Sequence, residues 1–365
     1  MKRRSYKYIF YFNVFVILSL FVAALVVTLP QNSKNEAVPV SITTPLLHTE
    51  TVNVGFCKNA KAAVIIDSQS GAVLYEKNSD MRLPMASTTK IMTALAVIEN
   101  SSPDDVITVS PEAAGIQGSS IYLKAGEKMT VLELLYGLLL ESGNDAAAAL
   151  AIGVFGSQEA CVDYMNSRAH SMGLVNTSFC NVHGLDDKNH YTTAYELSLI
   201  SKNAMENELF STIVSTKSYV TSGENPRYFS NHNRLLSSFD GAVGIKTGYT
   251  SKSGRCLVSA AQFEDERYIA VTLGDPLDWN DHKEMHSYAR EHYDSIEIAH
   301  KESFRIYCGN DIYAPIENIF VTISGDADFF VDYKITLKGD VGKVEFFAQD
   351  KKLGSFGIVR LVKGG

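Results

Sequence analysis

The sequence predicts an α+β protein in which an antiparallel sheet is flanked by helices and followed by a small β-rich domain. Apolar residues recur at helical spacing in residues 91–98 and 131–140. β-rich runs separated by polar turns occupy residues 242–273, which favours adjacent antiparallel strands. From about Phe304 onward, short strand-like runs alternate with turns that contain Gly and Asp.

Length and charge limit the classes of protein that the chain can belong to. At 365 residues it exceeds one average domain, so we expect one large domain and one smaller one. Its 45% hydrophobic and 20% charged residues are typical of a globular protein. The formal net charge of −8 provides no basic surface for a nucleic-acid backbone, so we expect no nucleic-acid partner.

The amino terminus predicts a membrane anchor. An almost uncharged apolar stretch, Tyr8 to Leu29, is long enough to cross a bilayer. It is preceded by the basic residues Lys2, Arg3, Arg4 and Lys7. Because basic residues precede the stretch and none follows at once, we expect a cytoplasmic amino end and an exported remainder. We interpret residues 1–35 as a signal or transmembrane anchor, favouring a retained anchor over a cleaved signal peptide, and residues 36–55 as a polar tether.

The first predicted elements after the tether are a β-hairpin and a helix. Strand-like residues 62–67 and 72–76 flank a turn that ends at Gly71. In the helix that follows, Ile91, Leu95 and Ile98 fall at positions i, i+4 and i+7 of one buried face.

Ser87 and Lys90 form a candidate nucleophile and base. We expect Ser87 in the first turn of this helix and Lys90 on the same side, because residues three apart are surface neighbours. A hydroxyl beside an amine is a catalytic pair if burial or a nearby cation lowers the pKa of the lysine. Read alone, the same spacing is more common for a helix cap followed by a solvated lysine.

Two further stretches carry candidate site residues. Ser142 and Asn144 lie on a tight turn between two apolar helices, where short polar side chains usually cap helices. Lys246, Thr247 and Gly248 lie on a predicted strand, and a glycine there allows a ligand to approach the backbone closely.

Cysteine usage points away from metal binding. The five cysteines have no C-x-x-C or metal-like spacing, and an odd number cannot all pair within one chain. We therefore expect no zinc site and no disulfide framework, with most cysteines buried as small hydrophobic residues. We also expect no cofactor.

The ordered set Ser87-x-x-Lys90, Ser142-Gly143-Asn144 and Lys246-Thr247-Gly248 resembles the motifs of penicillin-binding proteins and class A β-lactamases. More specifically, the chain resembles the serine D-alanyl-D-alanine carboxypeptidases of the peptidase S11 type, which are low-molecular-mass penicillin-binding proteins. The resemblance covers roughly Ala62 to Ile298 and includes Gly118-Ser119-Ser120 and the segment 181–194. It implies the penicillin-binding protein/β-lactamase-like transpeptidase fold with a helical subdomain, a catalytic domain at 56–300 and a small β domain at 301–365.

The resemblance also implies a role for each motif residue. Ser87 would attack the carbonyl between two terminal D-alanines, Lys90 would take its proton, and Ser142 would relay a proton to the leaving amine. Asn144 would hold the peptide amide.

The remaining motif residues would bind the ends of the reacting group. Lys246 and Thr247 would meet the terminal carboxylate of the substrate. The backbone N–H groups of Ser87 and Tyr249, beside Gly248, would form the oxyanion hole.

Some residues near these motifs have weaker assignments. His183 and Asp186 match a family loop beside the site, and we favour a structural role for both. Some carboxypeptidases of this kind use an arginine after the last strand for the substrate carboxylate, but residues 278–282 contain none, so Arg255 or Lys246 would substitute.

The expected function is a membrane-tethered, extracytoplasmic D,D-carboxypeptidase that acts on peptidoglycan stem peptides and binds β-lactams. A β-lactamase or a D,D-endopeptidase of the same fold is the first alternative. A non-catalytic receptor for wall fragments is the second, although a pure binder has no need of the Ser87 nucleophile.

Overall fold

A computed structural model describes residues 54–222, 226–308, 311–324, 331–348 and 351–361. The expected anchor at 1–35 and nearly all of the tether at 36–55 lie outside these residues. Within them, no helix combines the length and hydrophobicity that a bilayer crossing requires.

The described chain divides into two compact units. The larger unit combines the described residues of Thr44–Ile296 with those of Val321–Phe329. The smaller unit combines the described residues of Glu297–Phe320 with those of Phe330–Gly365. The domain limits drawn from the sequence, 56–300 and 301–365, stay a prediction.

A five-stranded antiparallel sheet forms the centre of the larger unit, with strand order β2-β1-β9-β8-β7. The strands are β1 (Ala62–Asp67), β2 (Val73–Lys77), β7 (Ala242–Thr250), β8 (Gly254–Phe263) and β9 (Glu266–Leu273). Strand β1 is buried throughout because side chains alternate between the two faces of a sheet and both faces are covered. Val64 and Ile66 join one hydrophobic core, whereas Ala63 and Ile65 join a second one with Met285.

Helices surround this sheet. They are α1 (Lys90–Asn100), α2 (Val131–Leu139), α3 (Asn144–Phe155), α4 (Gln158–Ser171), α5 (Ala194–Met205), α6 (Glu208–Ser215), α7 (Leu235–Ser238) and α8 (Asp278–His292). Several begin at side-chain caps, and α2 has a full capping box in which Thr130 and Glu133 each bind the backbone of the other. Met285 on α8 belongs to the second core, whereas α1 contributes residues 91, 92 and 94–97 to the first.

Short strands and the smaller unit complete the described chain. Two antiparallel two-stranded sheets in the larger unit pair β3 (Val106–Thr108) with β4 (Lys128–Thr130) and β5 (Ser218–Val220) with β6 (Tyr228–Ser230). The smaller unit contains an antiparallel sheet of order β11-β12-β16-β15-β14. Its strands are β11 (Ile306–Cys308), β12 (Asp311–Pro315), β14 (Val331–Lys338), β15 (Val341–Ala348) and β16 (Lys351–Arg360). Strands β10 (Tyr293–Ala299) and β13 (Ile319–Ser324) pair with each other.

The predicted α+β class is confirmed, and one local expectation is wrong. Ser87 does not lie in the first turn of α1 but on a separate 3-10 turn, Ala86–Thr89, and α1 begins at Lys90. The hydroxyls of Thr88 and Thr89 donate back to the carbonyls of Met85 and Ala86 (2.6 and 2.8 Å). Such side-chain bonds to nearby backbone compete with the α-helical pattern, which explains the tighter turn.

Candidate active site

Lys90 is the buried centre of the site. Its side chain is fully buried, and its Nζ lies 2.9 Å from the Ser87 hydroxyl oxygen. The same nitrogen donates to Asn144 Oδ1 and to the His183 carbonyl oxygen, both at 2.7 Å. A neutral amine has two N–H donors and one lone pair, so these two acceptors leave the lone pair for the Ser87 proton.

Electrostatics favour the neutral form of this amine. Burial lowers the pKa of Lys90 well below its usual range, and the positive charge of Lys246 lowers it further, against an opposing effect of Asp145. An uncharged amine can accept a proton, so the position of Lys90 and its lowered pKa both suit it to act as a general base for Ser87.

Asn144 is fixed by backbone contacts at the start of α3. Its N–H donates to the Ser119 carbonyl (2.7 Å) and its Nδ2 to the Gln117 carbonyl (2.5 Å). A Cβ on Gly118 would lie 2.6 Å from that Nδ2, so a glycine is needed there for the loop to approach. These contacts aim Asn144 Oδ1 at Lys90, and the predicted contact of Asn144 with a peptide amide stays a prediction.

The carboxylate of Asp145 secures the loop beside Asn144. It is fully buried and accepts from the Ser120 hydroxyl (2.7 Å) and from the N–H groups of Ile121 (3.0 Å) and Leu123 (2.9 Å). The sequence reasoning did not single out Asp145, although its place directly after Asn144 is a usable signal. It holds residues 120–123 against the start of α3.

Ser142 lies on the turn between α2 and α3, two residues before Asn144. Its φ of 61° is left-handed, which is uncommon for a residue with a side chain and marks a constrained turn. It is 5% exposed, and its hydroxyl forms no hydrogen bond to the described part of the chain. Its role as a proton relay therefore stays a prediction.

Strand β7 lies directly against the Ser87 turn. A Cβ added to Gly248 would lie 3.0 Å from the Ser87 nitrogen and 3.2 Å from the Met85 carbonyl oxygen, so only glycine permits this approach without displacement. Thr247 is half-buried, and Tyr249 is 68% exposed. The three sequence motifs thus meet at the Ser87–Lys90 pair: Asn144 binds Lys90, and Gly248 lies against the Ser87 backbone.

Lys246 is a second buried lysine. It is 1% exposed, its Nζ donates to the Thr247 carbonyl (2.9 Å), and burial lowers its pKa to about 7. Its charge acts on Lys90, so the two lysines are electrostatically coupled.

The loop at 181–186 also borders the site, and it contacts Lys90 through a backbone carbonyl rather than a side chain. The His183 carbonyl accepts from Lys90. Burial lowers the pKa of the His183 ring to about 4, so the ring is neutral near pH 7. Asn181 Oδ1 binds the N–H groups of His183 and Gly184 (3.2 and 2.7 Å) and shapes the loop. The sequence pointed to the His183 side chain and missed its carbonyl, because a backbone acceptor has no residue-type signal.

Asp186 and Arg255, the two candidates with weaker assignments, each form hydrogen bonds to a neighbouring side chain. Asp186 Oδ1 accepts from the Thr250 hydroxyl (2.8 Å), which ties the loop to the end of β7. Arg255 donates through Nε and Nη2 to Asp278 Oδ1 (3.0 and 2.8 Å) and lies 5.6 Å from the Trp279 ring centre. Its side chain is 42% exposed, and it pairs across the sheet with Tyr249.

The described residues near Ser87 and Lys90 do not include a group of side chains that could bind a metal ion. The described residues include no cluster of three or more His, Cys, Asp or Glu side chains placed to hold a metal ion. All five cysteines are free thiols, three of them buried.

Replacing Gly184 with alanine is expected to lower the free energy of unfolding by about 2–4 kcal/mol. Gly184 has a φ of 91°, and its added Cβ would overlap the Ala86 carbonyl oxygen just before Ser87. Gly173→Ala is the matched control, because Gly173 has a similar φ of 77° but open space around its Cβ. Urea denaturation measures both, and we expect only about 1–2 kcal/mol for the control. Equal losses would show that the Gly184–Ala86 contact is unimportant.

A half-buried serine beside a fully buried lysine amine, bounded by an asparagine turn and a glycine-containing strand, is the arrangement of the penicillin-binding protein class. Comparison with known proteins agrees: the family model of peptidase S11, D-alanyl-D-alanine carboxypeptidase, matches residues 50–276. The chain belongs to this family.

Individual relatives and solved structures agree with this assignment. D-alanyl-D-alanine carboxypeptidase DacF of Bacillus subtilis is 40% identical over 222 residues, which are 59% of this chain and 57% of that protein. DacD of Escherichia coli is 30% identical over 341 residues, which are 84% of this chain and 87% of that protein. The structure of penicillin binding protein 5 from Haemophilus influenzae superposes with a TM-score of 0.73 at 27% identity, covering 83% of this chain and 96% of that one. The predicted penicillin-binding protein fold is confirmed.

Coverage differs among these relatives. The alignments to DacF and to Escherichia coli DacC span only 57% and 58% of those proteins.

Proposed function

We propose that this chain is a serine D-alanyl-D-alanine carboxypeptidase that removes the terminal D-alanine from peptidoglycan stem pentapeptides and is acylated by β-lactams. The observation that carries this proposal is the 2.9 Å approach of the buried Lys90 amine to the Ser87 hydroxyl. Membership of the peptidase S11 family supports the choice of substrate.

In the proposed acylation step, the Ser87 oxygen bonds to the carbonyl carbon of the penultimate D-alanine as its proton moves to Lys90 Nζ. The N–H groups of Ser87 and Tyr249 stabilise the oxyanion that develops on the carbonyl oxygen. Ser142 relays the proton to the leaving nitrogen, the C–N bond breaks, and D-alanine departs. Water then attacks the ester carbonyl carbon, the bond from that carbon to the Ser87 oxygen breaks, and a proton from the water restores the Ser87 hydroxyl.

Recognition of the substrate carboxylate is assigned to the cation and hydroxyl of Lys246 and Thr247. Arg255 is the less suitable cation, because Asp278 already compensates its charge. We also propose that residues 1–35 tether an extracytoplasmic catalytic domain to the membrane, as the basic and apolar pattern of that segment indicates.

The proposal is tested by incubating the purified full-length protein with a peptide that ends in D-Ala-D-Ala and measuring free D-alanine. We expect release of one D-alanine per peptide and slow turnover of penicillin. Rapid penicillin hydrolysis without D-alanine release would favour a β-lactamase, and cleavage only of cross-linked stems would favour an endopeptidase. Binding of wall fragments with no acylation would favour a receptor.

The pH dependence of kcat/KM is expected to be bell-shaped. Activity falls with decreasing pH as Lys90 gains a proton and ceases to be a base, and it falls above about 7 as Lys246 loses the charge that binds the carboxylate. In Lys246→Arg the alkaline limb should move to higher pH, because a guanidinium stays protonated. Rate profiles of D-alanine release from about pH 5 to about pH 10 measure this. An alkaline limb that does not move in the variant would contradict the assignment to Lys246.

A further inference from the structure

A buried histidine outside the three motifs connects to the residue that precedes the nucleophile. His190 is 3% exposed, and its Nδ1 accepts from the Cys180 N–H at 3.0 Å. A backbone N–H can only donate, so Nδ1 is unprotonated and the ring proton is on Nε2. The Nε2 atom lies 2.7 Å from the Thr89 hydroxyl oxygen, which must therefore accept the Nε2 proton.

The direction of donation continues to the backbone of the catalytic turn. Having accepted from His190, the Thr89 hydroxyl donates its own proton to the Ala86 carbonyl at 2.8 Å. The Cys180 N–H thus fixes which nitrogen of His190 donates, His190 fixes the direction in which the Thr89 hydroxyl donates, and the Ala86 carbonyl is the final acceptor. Burial lowers the pKa of His190 to about 4, against the opposing charges of Asp187 and Asp186, so the ring is neutral near pH 7.

Ala86 is the residue whose orientation matters most for Ser87. The Ala86 carbonyl and the Ser87 N–H belong to one planar peptide unit and point in opposite directions. Holding the carbonyl therefore aims the N–H. Ala86 has a left-handed φ of 48°, a conformation that a residue with a side chain seldom keeps without outside support.

We propose that His190 is a positioning residue that, through the Thr89 hydroxyl, locks the Ala86–Ser87 peptide plane and so aims the Ser87 N–H into the oxyanion hole. This inference rests on the proposed acyl transfer at Ser87. His190 itself does not touch the substrate, and its effect falls on the acylation rate rather than on substrate affinity.

The test compares His190→Leu with His190→Gln. A glutamine can donate from its amide nitrogen to Thr89, whereas leucine offers no polar atom. We expect His190→Leu to lower the second-order rate constant for acylation by a fluorescent penicillin by about 100-fold, and His190→Gln to stay within about threefold of the parent. The dissociation constant of a D-Ala-D-Ala peptide, measured in a Ser87→Ala background, should change by less than about threefold.

Two further comparisons separate positioning from general destabilisation. His286→Leu is the matched control, because His286 is equally buried, on α8, and bonds Ser259 at 2.7 Å. We expect it to lower the Tm without slowing acylation. Thr89→Val should slow acylation as His190→Leu does, Thr89→Ser should restore it, and the double variant His190→Leu/Thr89→Val should be no slower than either single variant.

The inference is overturned by acylation at the parent rate in either His190→Leu or Thr89→Val, or by additive losses in the double variant. If His190→Leu does not fold, the Thr89 pair decides alone. Failure of the proposed function is distinguishable, because the parent protein would then neither release D-alanine nor become acylated.

Discussion

Ser87→Ala is expected to reduce D-alanine release by about 10⁶-fold, because the variant has no oxygen to form the acyl-enzyme. Ser87 is half-buried on a turn that bonds through its neighbours Thr88 and Thr89, so the substitution removes one hydroxyl and little packing. The variant should therefore unfold at the parent Tm and still bind a D-Ala-D-Ala peptide. The rate of D-alanine release measures the loss of activity, isothermal titration calorimetry measures peptide binding, and differential scanning calorimetry measures the Tm.

Ser237→Ala is the control for this substitution, since Ser237 is an exposed serine on α7. It should leave the rate unchanged. A Ser87→Ala protein that releases D-alanine within tenfold of the parent rate would remove Ser87 from the chemistry.

Lys90→Met is expected to slow acylation by about 10³–10⁴-fold. Methionine keeps an unbranched chain in the fully buried site but offers no lone pair basic enough to take the Ser87 proton. It also leaves Asn144 Oδ1 and the His183 carbonyl without the donor that each binds at 2.7 Å. Two unsatisfied buried acceptors cost about 1–3 kcal/mol each, which the lower cost of burying an apolar side chain partly offsets.

Lys128→Met serves as the control, because Lys128 is exposed on β4 and belongs to none of the site motifs. Stopped-flow acylation with a fluorescent penicillin separates the two variants. Acylation of Lys90→Met within about tenfold of the parent would assign the general base to another group.

Side-chain periodicity explains why the fold class could be predicted from the sequence. The spacing of Ile91 and Leu95 marks the buried face of α1, and the continuous apolar run of β1 marks a strand with both faces covered. Both patterns arise because core positions require apolar side chains, so the periodicity of apolar residues in the sequence marks the buried faces. The start of α1 could not be placed, because it depends on how Thr88 and Thr89 bond to the backbone.

The site likewise has residues that the sequence could predict and backbone features that it could not. Ser87, Lys90, Asn144 and Gly248 are brought together as their motifs suggested, whereas read alone the turn at Asn144 suggested only a helix cap. The cap position of α3 is in fact Gly143, with no side-chain bond, so Asn144 is free to orient Lys90. The contact of the His183 carbonyl and the orientation of the Ala86–Ser87 peptide plane could not be predicted from composition or spacing. Both are backbone features, and every residue has a backbone carbonyl.

The most direct measurement is the position of the covalent adduct after the full-length protein reacts with a β-lactam, determined by peptide mass spectrometry. We expect one adduct per chain, on the peptide that contains Ser87 and on the hydroxyl beside the Lys90 amine. An adduct on Ser142 or any other residue, or no adduct from a protein that nevertheless releases D-alanine, would contradict the assignment of Ser87 as nucleophile.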